Sequence, residues 1–209
     1  VVERDIRLVE LTGGRLHIAN VSTSDSIDVI RRAKERGLKI TCDTAPPYFA
    51  LNEHAIGDYR TFAKLSPPLR GEGDLQAIAD GAIDCIASDH TPQDEESKRL
   101  PFAQAASGGV GLETLLPITL ELYHNGHLSL LAALDLITRK PADLMGMTAG
   151  RLQVGAPADL VVFDPDRSWK VDADALNSKS KNSPFDGRPV QGLVLRTVID
   201  GRTVHTHGA

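Results

Sequence analysis

An acid and an imidazole stand together in Ser88-Asp89-His90, where the apolar run Cys85-Ile86-Ala87 stops and the polar stretch Thr91-Pro92-Gln93-Asp94 begins. A carboxylate at the end of a buried strand can ligate a metal, take a proton from a metal-bound water, or only cap the next turn. Taken alone, His90 reads more readily as a structural residue than as a ligand. A second candidate is Ser107-Gly108-Gly109-Val110-Gly111, ahead of a helical pattern. Glycines there let backbone N–H groups approach an anion such as a small carboxylate; the alternative is a plain flexible turn. The pattern lacks a Walker lysine and does not directly follow a strand, which argues against a nucleotide loop. His17 falls in mid-strand, where alternation puts it on the opposite face from Asn20, so it reads as a packed or helix-facing residue. His54, His124 and His127 read as surface residues. His205-x-His207 matches a metal pair formally, but it lies in the terminal tail.

Four strand-like runs would position these groups: Leu16–Val21, Lys39–Thr44, Thr61–Ser66 and Ile83–Ser88. Their starts lie 23, 22 and 22 residues apart. Ser22 to Asp25 offers helix caps, Ile27, Ile30 and Ala33 follow at helical spacing, and Gly37 supplies a stop. A shorter helix is expected over Asp74–Asp80. Two longer ones are expected over Leu112–His124, with Pro117 near its start, and Leu130–Arg139, after a Ser129 cap. Alternating strands and helices imply an α/β fold with a parallel sheet. An open doubly wound sheet and a closed eightfold barrel both fit, and both place chemistry at the C-terminal strand ends. Asn20, Thr44, Ser66 and Asp89 sit at or just past those ends. The last third changes character: Ala158–Asp164 and Gly192–Ile199 read as strands, and Asp200-Gly201 predicts a hairpin into Arg202–His205. That antiparallel unit is too small to bury its own apolar face. The polar run Ser178–Phe185 reads as a solvated loop or as a tether that docks this unit on the main domain.

The whole chain sets outer bounds. Its 209 residues are 41% hydrophobic and 24% charged, with a net charge of −5, as in an ordinary globular protein. No basic run suggests nucleic acid, and no apolar stretch is long enough to cross a bilayer. Cys42 and Cys85 lie in apolar runs and read as reduced residues of a cytoplasmic protein.

Five stretches, in this order, resemble the dihydroorotases of the amidohydrolase superfamily: Ile86–His90, Lys98–Phe102, Gly109–Thr114, Gly155–Leu160 and Ser178–Phe185. The resemblance implies the second half of a (β/α)8 barrel over residues 1–148 and part of a small C-terminal β-sandwich over 149–209. A first half would then lie upstream. The stretch between Arg70 and Asp84 looks about one helical turn shorter than in the family. The implied reaction is reversible hydrolysis of a cyclic amide, dihydroorotate to carbamoyl aspartate, in pyrimidine synthesis. In it a zinc-bound hydroxide attacks the ring carbonyl, and the residue matching Asp89 moves the proton. Ser66, Gln93, Ser107 and Gly108 fall at substrate-binding positions. Asp89 also falls at a metal position. Asn20 and Tyr48 stand where the family has histidine ligands, and Gln93 stands where it has a substrate-binding histidine. Asn20 and Tyr48 are poor zinc ligands beside imidazole. Two expectations follow: a small-molecule hydrolase, homo-oligomeric, with a reduced metal site, or a silent homologue serving as structural partner of aspartate carbamoyltransferase.

Overall fold

The computed structural model describes residues 1–74 and 82–208, apart from the side chain of Asp74. The chain divides into two compact units, one of residues 1–115 with 173–184 and one of residues 116–172 with 185–209.

The first unit opens with α1 (Val2–Thr12), which buries Ile6 and Val9 and ends on Gly13 in the left-handed region. After β1 (Leu16–Ile18) the chain enters α2 (Ser24–Glu35), capped by the Thr23 side chain, which accepts the Ser26 N–H. Ile27, Ile30 and Ala33 form its buried stripe, as their spacing predicts. β2 (Ile40–Thr44) and α3 (Pro46–Ala50) follow, then β3 (Cys85–Ile86) and α4 (Glu95–Arg99). The sheet has the order β1-β2-β3 and is parallel, with Leu16 opposite Ile40 and Asp43 opposite Cys85. All three strands therefore deliver their C-terminal ends to one edge. Lys34 of α2 helps fix that arrangement. Its ammonium bonds Asp84 at 2.6 Å, and Asp84 accepts the Cys42 N–H at 2.7 Å. Cys42 and Cys85 are free and buried, and burial pushes the Cys42 thiol up to about 12.

The expected strand at Thr61–Ser66 does not form. Thr61–Ala63 makes one 3-10 turn, closed by Lys64 N–H to Thr61 O at 3.0 Å. The alternation of Phe62, Ala63 and Leu65 imitates a strand, but local turn bonds and the Thr61 hydroxyl on Lys98 O hold the backbone instead. Beyond Asp74 the helix expected over Asp74–Asp80 lies outside the described residues, as does much of the stretch between Arg70 and Asp84 that looks short in the sequence.

The second unit contains α5 (Leu115–His124) from its second residue on, α6 (Leu130–Ile137), α7 (Arg139–Leu144) and an antiparallel sheet. Pro117 falls in the first turn of α5, where its missing N–H costs nothing. Ser129 caps α6. β4 (Leu160–Lys170) pairs with β5 (Pro189–Ile199), which turns through Asp200-Gly201 into β6 (Arg202–Thr206). Both turn residues have positive φ, 48° and 74°, as a two-residue hairpin requires. Val161, Val162 and Val204 are exposed, in line with a sheet too small to cover itself. Among the described residues no helix is long and apolar enough to cross a membrane.

On α5 the Thr119 hydroxyl is fully buried and has no hydrogen-bond partner among the described residues. A buried hydroxyl without a partner costs free energy, and valine has nearly the same shape. Thr119→Val should raise stability by about 1 kcal/mol in urea denaturation. A loss of stability would show that the hydroxyl has a partner after all.

Candidate functional site

The site begins with three residues just past the strand ends. Asn20 lies two residues beyond β1, Tyr48 sits in α3 beyond β2, and Asp89 lies three residues beyond β3. They converge. Asp89 Oδ1 accepts the Asn20 amide at 3.1 Å, and Asp89 Oδ2 accepts the Tyr48 hydroxyl at 3.1 Å. Asn20 and Asp89 both adopt positive φ, 53° and 46°, a backbone region that Asn and Asp tolerate better than most residues. Thr91 supports the bend by donating its hydroxyl to Asp89 O at 3.0 Å.

Behind this trio stands a second carboxylate that sequence reasoning missed. Asp43 of β2 accepts the Asn20 backbone N–H at 2.6 Å and pairs with His17 Nε2 at 2.8 Å. His17 Nδ1 meets Thr41 Oγ1 at 2.9 Å. His17 is thus not a packed strand residue; its side chain is partly exposed and links the two strands. The alternation argument failed because β1 ends at Ile18, so Asn20 is no longer on the pleat. The usable signal was register, since His17 lies directly opposite Thr41, which is two residues before Asp43 on β2.

The electrostatics follow from this packing. Burial raises the Asp89 carboxyl above its ordinary value, the Asp43 charge pushes the same way, and the bonds from Tyr48, Asn20 and Thr91 partly offset them. Burial and the adjacent Asp89 charge hold the Tyr48 phenol far above its usual range, so it remains a proton donor.

The glycine loop lies close to the strand end. Thr91 N–H bonds Gly109 O at 2.8 Å, Gly108 N–H bonds Lys64 O at 3.0 Å, and Gly111 N–H bonds His90 Nδ1 at 3.1 Å. The last bond places the ring proton of neutral His90 on Nε2 and makes His90 a structural support. It also borders a cleft of about 310 Å³ shared with Glu113 and Ser178. Gln93 is half-buried and its N–H bonds Asn182 Oδ1 at 3.3 Å. Ser66 is exposed and Ser107 half-buried. Among the described residues neither has a hydrogen bond to Asp89, so neither joins the trio through one.

The model of the amidohydrolase family matches residues 72–204, more than half of the sequence. The chain belongs to the amidohydrolase family. The dihydroorotase of Anaplasma phagocytophilum is 47% identical over 210 residues, which cover 98% of this amidohydrolase chain and 47% of that protein. The dihydroorotase of Geotalea daltonii is 45% identical over 208 residues, 98% of this chain and 49% of that protein. The chain therefore spans about half the length of these relatives. Among solved structures, the L-hydantoinase of Arthrobacter aurescens superposes with a TM-score of 0.92 at 33% identity, over 100% of this chain and 48% of that one. The dihydropyrimidinase of Brevibacillus agri gives 0.91 at 28% identity, over 98% and 48%.

Amidohydrolases are typically metal-dependent, so the donor set of this chain can be tested against an ion. It does not fit one. Each Asp89 oxygen already accepts a hydrogen bond, Oδ1 from the Asn20 amide and Oδ2 from the Tyr48 phenol, so a cation there would share the carboxylate with both donors. The phenol is held protonated, and an amide is a weak ligand beside imidazole. Among the described residues no three His, Cys, Asp or Glu side chains converge.

Proposed function

We propose that this chain is the C-terminal half of a dihydroorotase-type amidohydrolase, which opens and closes the cyclic amide linking dihydroorotate and carbamoyl aspartate in pyrimidine synthesis. In this reading residues 1–148 form the second half of a (β/α)8 barrel, residues 149–209 contribute to a β-sandwich, and the enzyme works in the cytoplasm. The single observation that carries the reading is the convergence of Asn20, Tyr48 and Asp89 past three parallel strand ends. Identity of 45–47% to proteins named dihydroorotase supports it.

Asp89 is the general acid/base. As a carboxylate it takes a proton from the water that attacks the ring carbonyl. A carbon–oxygen bond forms, the carbon–nitrogen bond of the ring breaks, and Asp89 returns the proton to the leaving nitrogen. Its raised pKa suits the second half of that cycle, and Asn20 and Tyr48 hold both oxygens in place. Gln93, Ser107, Gly108 and Ser66 are the proposed contacts of the substrate carboxylate. Zinc, the metal implied by the dihydroorotase resemblance, has no cluster of His, Cys, Asp or Glu ligands among the described residues.

A second reading rests on a specific observation. The same two donors that steady Asp89 stand where metal ligands would be expected, which favours a silent homologue kept as a partner of aspartate carbamoyltransferase. One experiment separates the two: dihydroorotate turnover and metal content of the protein carrying this chain at its natural length, alone and with Asp89→Asn. The hydrolase reading expects turnover that falls by about 10³-fold in the variant. It also expects hydrolysis to rise with pH through a value above 3.8, because the ionised form is the base. Absent turnover, with a transcarbamoylase co-purifying, establishes the partner reading. Full turnover in the variant removes Asp89 from the mechanism.

A further inference from the structure

We propose that Asn182 is a positioning residue that sets the separation of the two loops facing the substrate carboxylate; this rests on the dihydroorotase reading. Asn182 is 2% exposed. Its Oδ1 accepts the Gln93 N–H at 3.3 Å, its Nδ2 donates to Gly108 O at 3.0 Å, and its own carbonyl accepts the Val110 N–H at 3.1 Å. One side chain therefore bonds the loop after β3 and the glycine loop at once. The amide orientation is fixed by its partners. Oδ1 faces the Gln93 N–H and Nδ2 faces the Gly108 carbonyl; the flipped amide would set donor against donor and acceptor against acceptor.

The segment that carries Asn182 is itself anchored. The Glu113 carboxylate accepts the N–H groups of Asn177 at 2.9 Å and Ser178 at 3.3 Å, and Lys181 Nζ donates to Leu176 O at 2.7 Å. Ser180 Oγ also lies within hydrogen-bond reach of Gln93 O, so the loop after β3 is held at two points. None of these bonds involves Asp89. The geometry assigns Asn182 to carboxylate binding through Gln93 and Gly108, separate from the proton transfer.

The test is a KM-against-kcat split. Asn182→Asp keeps the size and the acceptor toward Gln93, but it replaces the donor toward Gly108 O with a second acceptor. In the natural-length protein it should raise the KM for dihydroorotate about tenfold and leave kcat within about twofold. Ser180→Ala, a milder change that should fold normally, should raise KM about threefold with kcat unchanged. A merely structural role would lower kcat and the melting temperature together, and that result overturns the proposal. Unchanged KM in Ser180→Ala, or in a well-folded Asn182→Asp, overturns it too, while wild-type turnover keeps the dihydroorotase reading. If the wild-type protein neither turns over dihydroorotate nor binds it in calorimetry, that reading fails and this inference falls with it.

Discussion

Gly111→Ala should cost the protein about 3 kcal/mol of stability and, under the proposed dihydroorotase function, reduce turnover of the natural-length protein at least about 100-fold. A Cβ at this position would lie 2.1 Å from the Ser88 carbonyl oxygen and 3.2 Å from its carbon. Both are backbone atoms, so no side chain can swing aside. Either the glycine loop retreats or the end of β3 moves. Ser88 directly precedes Asp89, and Gly111 N–H is the donor to His90 Nδ1, so either movement shifts the carboxylate relative to Asn20 and Tyr48. A displacement of about 1 Å is enough to cost two orders of magnitude in a positioned reaction. Urea denaturation and dihydroorotate turnover check the two halves of the expectation. Gly71→Ala is the control, because a Cβ there meets nothing within 4 Å, and it should change stability by no more than about 0.5 kcal/mol. Wild-type stability in Gly111→Ala would mean that the loop and the strand end are not in the contact described.

What the sequence disclosed depended on how local the cause was. α2 was legible because its cap, its buried stripe and its stop lie within one stretch of chain, and the β5–β6 hairpin was legible because Asp200-Gly201 alone sets the turn. α1 was not recognised. Only Ile6 and Val9 mark its buried face, and a pair three residues apart in a charged segment is a weak period. The false strand at Thr61–Ser66 had the right alternation, but its carbonyls serve other partners: Lys64 O accepts Gly108 N–H, and Thr61 O accepts Lys64 N–H. Periodicity cannot report such contacts.

The site divides in the same way. Asn20, Tyr48 and Asp89 were picked out by their match to motif positions, and they do meet. The supporting residues were invisible because their bonds cross long stretches of chain. Asp43 reaches Asn20 across 23 residues, and Asn182 reaches Gln93 and Gly108 across 89 and 74. A polar residue in a loop-like run carries no local sign of such bonds. Asn182 looked like part of a solvated tether, yet it is among the most buried polar groups of its unit. The glycine loop was the intermediate case. An anion-facing backbone and a plain turn remained open, and the structure adds a third cause for one of its glycines, the close approach of Gly111 to Ser88.

Lys98 leads to the second large effect. It sits on α4 with 2% exposure, and its ammonium donates to Thr61 O at 3.0 Å and Lys64 O at 3.3 Å. Those carbonyls are neutral, and the Lys64 ammonium is close by. Burial, reinforced by that like charge, lowers the Lys98 pKa from 10.5 to about 8. Between these two values the unfolded chain holds a proton that the folded protein has released. Stability therefore rises with pH across that window and is lost again as pH falls through about 8. A shift of this size corresponds to roughly 3 kcal/mol, and water near the ammonium would reduce it to about 2 kcal/mol. Lys98→Met removes the charge without orphaning either carbonyl, since Thr61 O and Lys64 O keep the backbone N–H groups of Lys64 and Gly108. The variant should be more stable than the wild type by about 2 kcal/mol at pH 7, and the difference should vanish near pH 10.5. Urea denaturation of both proteins from pH 7 to 10.5 isolates this residue, because every other titrating group is common to the pair. Parallel stability curves would show that Lys98 keeps its proton at its ordinary affinity, and that the neutral carbonyls around it compensate the burial in full.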